Sequence, residues 1–185
     1  ESQASDPYND HENPPSAIFL ASFLNSKHRI AAVSNAASVI GTPPDGMRVV
    51  SAFMRRAAYP VAGQRSPSSY QAAVSSVVRY RRPIEGEDKF VKTYLETHPR
   101  TEGKLPGIRN VFCYLPEKVS DPAGLADADY VIGNEVAFDS VEAFNAAMGS
   151  PVREELRDHF RSFPKIGGRL THDVMERTRL FESVS

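Results

Sequence analysis

The chain has 185 residues and a mass of 20.4 kDa, roughly 1.2 domains at about 150 residues per domain, so one domain plus a remainder is expected. Hydrophobic residues at 41%, charged residues at 24% and a formal charge of -1 describe a chain with a core and exclude any global attraction to nucleic acid or an anionic membrane. The single Cys113 excludes an intrachain disulfide or a cysteine-only metal site and fits a reducing, cytoplasmic setting; no apolar run approaches the roughly 18 residues of a membrane span.

Charge divides the chain near residue 73. Residues 1–73 hold 11 charged residues against 34 in 74–185, and half of the 14 prolines fall in the first segment. Residues 1–73 therefore read as a proline-rich, partly helical extension wrapping the domain or a partner, and 74–185 as the domain proper. Within the extension, Ala17 to Val39 suits one or two helices with Phe19, Phe23 and Leu24 on one side. The turn Pro43-Pro44-Asp45-Gly46 leads into Met47 to Ala58, a strand or short helix. Residues 17–58 are also where a larger protein assembly would attach.

From residue 74 the pattern is regular. Val74 to Arg81 predicts a strand, and Glu85 to His98 an amphipathic helix with Phe90, Val91, Tyr94, Leu95 and His98 on one side, stopped by Pro99. Ile108 to Leu115 predicts a second strand with Val111, Cys113 and Leu115 on one face. Tyr130 to Phe138 alternates: Ile132, Asn134, Val136 and Phe138 share one face, and Glu135 lies on the other. Asp139 or Ser140 caps a helix ended by Gly149, Pro151 opens another through Phe163, and Leu170 to Met175 forms the last strand.

This order, strand, helix, strand, strand, helices, strand, matches the β-α-β-β-α-β ferredoxin-like arrangement of an α+β domain. Helices cover only one face of such a sheet, so the other needs a cover. Pairing two sheets across a twofold axis supplies it, which predicts a homodimer enclosing a dimeric α+β barrel with a ligand space between the sheets.

Two segments carry a resemblance. Phe90-Val91-Lys92-Thr93-Tyr94-Leu95-Glu96-Thr97-His98-Pro99 with Lys104-Leu105-Pro106-Gly107-Ile108-Arg109 resembles the first helix and turn of the EthD-like family, and Val136 to Phe144 resembles its third strand and second helix. The likeness spans about residues 74–181. It implies a dimeric ferredoxin-like barrel without intrinsic metal or nucleotide, associated with metabolism of ethers, aromatics and polyketides. Arg100 departs from the small apolar residue usual in the family; it could pin a carboxylate or reach solvent.

His98 matches the family's histidine and lies on the apolar side of its helix, where an imidazole could transfer protons near neutral pH or simply bond the following turn. Glu135 would point between the sheets and orient His98, or pair with an arginine. Tyr114 completes the catalytic set as a hydrogen-bond donor, with Tyr80, Tyr94, Arg100 and His172 as substrate-binding candidates. His172 and Asp173 must face opposite ways in one strand, and His159 reads as core or interface. No metal-ligand cluster, phosphate loop or dinucleotide fingerprint stands out, so no cofactor is expected. Arg79, Arg81 and Arg82 form only a local basic cluster, which gives no nucleic-acid partner.

The EthD-like resemblance, with these residues and the predicted concave face, implies a metal-independent isomerase, cyclase or lyase that moves protons on a small cyclic or aromatic carbonyl compound. The alternative is a non-catalytic ligand-binding or assembly subunit of a degradative or biosynthetic complex. Convergence of His98 and Glu135 on one cavity discriminates the two.

Overall fold

The computed structural model describes residues 48–64, 72–119, 124–168 and 170–178, together with residues 18, 21, 27, 28, 31, 45 and 46. The helices expected between Ala17 and Val39 lie outside the described residues apart from isolated positions. The elements in chain order are β1 (Val50–Ser51), β2 (Met54–Tyr59), β3 (Val74–Arg81), α1 (Glu87–Glu102), β4 (Ile108–Pro116), β5 (Ala126–Asp127), β6 (Tyr130–Phe138), α2 (Val141–Met148), α3 (Pro151–Ser162) and β7 (Leu170–Glu176).

Five strands form one antiparallel sheet in the order β2-β4-β6-β3-β7, while β1 and β5 make a short parallel pair beside it. Helices α1, α2 and α3 pack on one face of the sheet, with α1 and α2 over β4 and β6 and α3 against both of the others. Alternation along β6 decides which side chains meet them. Ile132, Val136 and Phe138 enter the core under the helices, whereas Glu135 projects to the opposite, outer face.

The barrel expectation is corrected here. The sheet is open: β2 and β7 are its two edges, and it neither closes nor curls into a barrel. Two features explain the difference. β2, drawn from the segment read as an extension, adds a fifth strand to the β4 edge. The outer face, whose bareness motivated a barrel, is already buried within the single chain: Phe112 and Glu135 on it are both 0% exposed.

Local chemistry accounts for the element ends. Ser140 caps α2 by accepting a hydrogen bond from the Ala143 amide, and Pro151 sits in the first turn of α3, where its missing N–H costs nothing. Gly168 lies so close to β3 that a β-carbon would stand 1.9 Å from the Arg81 carbonyl oxygen, so only glycine fits there.

Pro99 does not stop α1, which continues to Glu102. A proline inside a helix leaves the carbonyl four residues earlier without its donor. That carbonyl belongs to Leu95, and the Tyr59 hydroxyl of β2 donates to it at 3.2 Å. With the freed group satisfied, burial of Thr101 and Glu102 carries the helix one more turn. Replacing Tyr59 with Phe is expected to cost about 1 kcal/mol, the usual worth of such a bond. The loss should concentrate in the last turn of α1, read as faster hydrogen exchange at the Gly103 amide, which donates to the Pro99 carbonyl.

Candidate functional site

The inward face of α1 presents Phe90, Tyr94, His98 and Glu102, spaced by four residues so that they stack down one side of the helix. Phe90 and Tyr94 join an apolar cluster with Tyr80, Cys113 and Ile132. A second cluster gathers around Val111, Val136, Phe138 and Phe144. On β6, Asn134 falls between Ile132 of one cluster and Val136 of the other, and there the interior turns polar.

Asn134 Nδ2 donates to Glu102 Oε2 at 2.8 Å. The other carboxyl oxygen, Glu102 Oε1, stands 3.7 Å from His98 Nε2, too far for a hydrogen bond. Both residues are nearly inaccessible, with His98 6% and Glu102 5% exposed. The His98 ring lies against Tyr94 at 4.8 Å, with Phe163 and His159 of the α3 end at 5.6 and 5.9 Å. His98 Nδ1 and Asn134 Oδ1 are buried and have no hydrogen-bond partner.

Burial sets the protonation of this group. Desolvation pushes the Glu102 carboxyl up to about 8, against the opposing pull of Asn134 and Arg153. Desolvation, then the charges of His159, Arg153 and His172, pushes the His98 imidazole down to about 3. Near neutral pH the pair is therefore a neutral imidazole facing a predominantly protonated carboxylic acid. The phenols of Tyr80 and Tyr94 and the thiol of Cys113 are all pushed up by burial, so each keeps its proton.

Glu135 and Tyr114 do not join His98, because the sheet lies between them. On the outer face Glu135 accepts hydrogen bonds from the Ser75 hydroxyl at 2.5 Å and from the Tyr114 hydroxyl, with Arg177 Nε at 3.7 Å. Beside this group Arg79 pairs with Asp173 and donates to the Tyr130 hydroxyl. Among the described residues His98 and Glu135 share no cavity, because they lie on opposite faces of the sheet.

Tyr80, Tyr94 and His172 lie on the helix side: Tyr80 packs on Phe90 and Tyr94, and buried His172 pairs in register with Val78 of β3. Asp173 takes the outer face, as the alternation of a strand requires. Arg100 is exposed in the last turn of α1. Glu102 and Asn134 are the residues that sequence reasoning missed. The signal for Glu102 was its place four residues after His98, hidden by the expectation that Pro99 ended the helix.

A cleft of about 410 Å³ opens at the carboxyl end of α1, between Val61, Gly103, Leu105, Ile108 and Ala143. It does not reach His98; Glu102 adjoins it only through the next residue, Gly103. The cations bordering it are engaged, Lys104 with Glu155 and Arg109 with Asp139. Among the described residues no group of three or more His, Cys, Asp or Glu could hold a metal ion, and no helix is long and apolar enough to cross a membrane.

No protein-family model matches the chain, and no curated protein matches it. A solved structure of an ethyl tert-butyl ether D (EthD) family protein from Bacillus halodurans is 21% identical, covers 57% of this chain and 99% of its own, and superposes with a TM-score of 0.47. A likeness at that level carries no argument about family or activity. The EthD-like membership and the dimeric barrel it implied are therefore withdrawn: the likeness is distant and partial, and the sheet is open.

Proposed function

We propose that the protein binds a small cyclic or aromatic carbonyl compound and moves protons on it without a metal, as an isomerase, cyclase or lyase, with His98 as base and Glu102 as acid. One observation carries this reading: two titratable groups 3.7 Å apart whose surroundings drive their proton affinities in opposite directions. A base must be unprotonated and an acid protonated at the working pH, and burial arranges both.

The unpartnered His98 Nδ1 and Asn134 Oδ1 are the polar capacity a substrate would use, reached only when the packing around the end of α1 opens, since the cleft there does not extend to His98. Leaving such groups unpaired costs about 1–3 kcal/mol each, which a ligand's own donor and acceptor recover. His98 takes a proton from the carbon next to the carbonyl, and the C–H electron pair becomes the C=C bond of an enol. Glu102 gives its proton to the carbonyl oxygen and afterwards takes it back. Return of the His98 proton to a different carbon completes an isomerisation. Every residue of the pair comes from one chain, so the chemistry needs no second copy.

The test is deuterium uptake from D2O, followed by NMR, across a panel of cyclic ketones, enones and unsaturated lactones. Wild-type protein should speed exchange at the carbon next to the carbonyl for part of that panel, and Glu102→Gln should abolish the gain. A panel with no acceleration by wild-type protein sinks the reading.

A further inference from the structure

The fold treats the three arginines of the local basic cluster, Arg79, Arg81 and Arg82, differently. Arg82 is exposed at the rim of the sheet, where Glu87 at 2.8 Å and Asp129 at 3.0 Å hold it. Arg79 and Arg81 alternate with Tyr80, which packs against Tyr94 of α1, and so take the outer face. Tyr130 stands beside both: the Arg79 guanidinium lies 5.6 Å and the Arg81 guanidinium 5.3 Å from the centre of its ring. Arg79 pairs with buried Asp173 and donates to the Tyr130 hydroxyl at 3.0 Å. Arg81 has no comparable partner; among the described residues no carboxylate or hydroxyl accepts a hydrogen bond from it.

The hydrogen-bonding capacity left over is concentrated in one place. Arg79 Nε, Arg81 Nε and Thr171 Oγ1 are all buried and lack a partner. Thr171 stands directly across from Arg79 in the β3–β7 register, and Arg81 is two residues further along β3, so the three positions lie within about 7 Å of one another. Stacking on Tyr130 answers the charge of Arg81 but not its N–H groups.

Neighbouring unpaired donors suit an oxyanion, and the charges select its kind. Arg79 and Arg81 against Asp173 leave one positive charge, which a singly charged carboxylate neutralises. A dianion would press its second charge on Asp173, whose Oδ1 is itself buried and unpaired. The Nε edge of a guanidinium presents two parallel N–H groups, the match for the two oxygens of a planar carboxylate. Access runs from the end of the sheet, since Arg81 is half-buried and Arg82 and Asp129 beyond it are exposed.

We infer that Arg81, with Arg79 and Thr171, forms a binding site for the carboxylate of a small monocarboxylic acid at this end of the outer face. Arg81 takes the carboxylate on its Nε edge, Thr171 and Arg79 Nε supply further donors, and Tyr130 holds both guanidiniums in place. The site lies on the other side of the sheet from His98 and Glu102 and does not depend on their chemistry.

The test follows the arginine Nε–H signals of the 15N-labelled full chain by NMR during titration with acetate, benzoate or sulfate. Arg81→Gln identifies the Arg81 signal, and because no buried carboxylate depends on Arg81 it leaves the fold intact; Arg81→Lys, which keeps the charge without the fork, is the second variant. At least one of the two carboxylates should move the Arg81 signal, bind more tightly than sulfate, and lose about tenfold or more in affinity in Arg81→Gln. Arg82→Gln should bind as the wild type does. An Arg81 signal that neither carboxylate moves, sulfate binding as tightly as the carboxylates, or an equal loss in Arg82→Gln overturns the inference.

Discussion

Replacing Glu102 with Gln is expected to change the pH dependence of stability by several kcal/mol, removing one of the two large opposing contributions of the buried His98–Glu102 pair. The folded-state value of Glu102 is raised, from 4.5 to about 8, so its contribution is full below about 4.5 and is lost as pH rises towards 8. His98 has the opposite sign. Its folded-state value is lowered, from 6.5 to about 3, so its contribution is full above 6.5 and is lost as pH falls towards 3.

Between pH 4.5 and 6.5 the two slopes cancel, and the pair gives a plateau that falls on both sides. In Glu102→Gln only the histidine remains, so stability should keep rising to about pH 6.5 and then level off. The difference between wild type and variant should change by about 5 kcal/mol across pH 4.5 to 8, at roughly 1.36 kcal/mol per pK unit. Urea titrations of both proteins at pH 4.5, 6.5 and 8.5 measure it; a difference independent of pH would show that Glu102 is ionised in the folded chain.

The second large effect is on turnover. Positioned acid–base catalysis contributes typically 10²–10⁴-fold, so His98→Asn should lower deuterium exchange into the responsive carbonyl compound by about that factor. Asn is polar and smaller than His, which limits disturbance of the ring stack with Tyr94 and Phe163. Wild-type activity should be bell-shaped, with an acid limb near 3 where His98 gains a proton and an alkaline limb near 8 where Glu102 loses one. Tyr114→Phe, on the outer face, should leave the rate and both limbs in place. A His98→Asn protein with an unchanged rate would remove the histidine from the chemistry.

The strands and helices of residues 74–185 were legible because each has a local cause. The alternation from Tyr130 to Phe138 and the Ser140 cap are properties of neighbouring residues, and the opposite facing of His172 and Asp173 follows from the two-residue period of a strand. The end of α1 was not legible, because the carbonyl freed by Pro99 finds its donor 36 residues earlier, at Tyr59. Glu102 stayed hidden for the same reason, and Asn134 because nothing local distinguishes it from its apolar neighbours on β6.

By itself the sequence determined the longer elements of residues 74–185 apart from the end of α1, the alternation of side chains along each strand, and the presence of His98 on the core side of a helix. Only the tertiary structure decided the partners: Glu102 and Asn134 for His98, Ser75, Tyr114 and Arg177 for Glu135, and β2 for the edge of β4. Local periodicity fixes direction within one element, but which distant groups meet depends on how sheet edges and faces are covered. The 73 residues set apart by charge show this most plainly, since six of them, Met54–Tyr59, form a strand of the domain's own sheet.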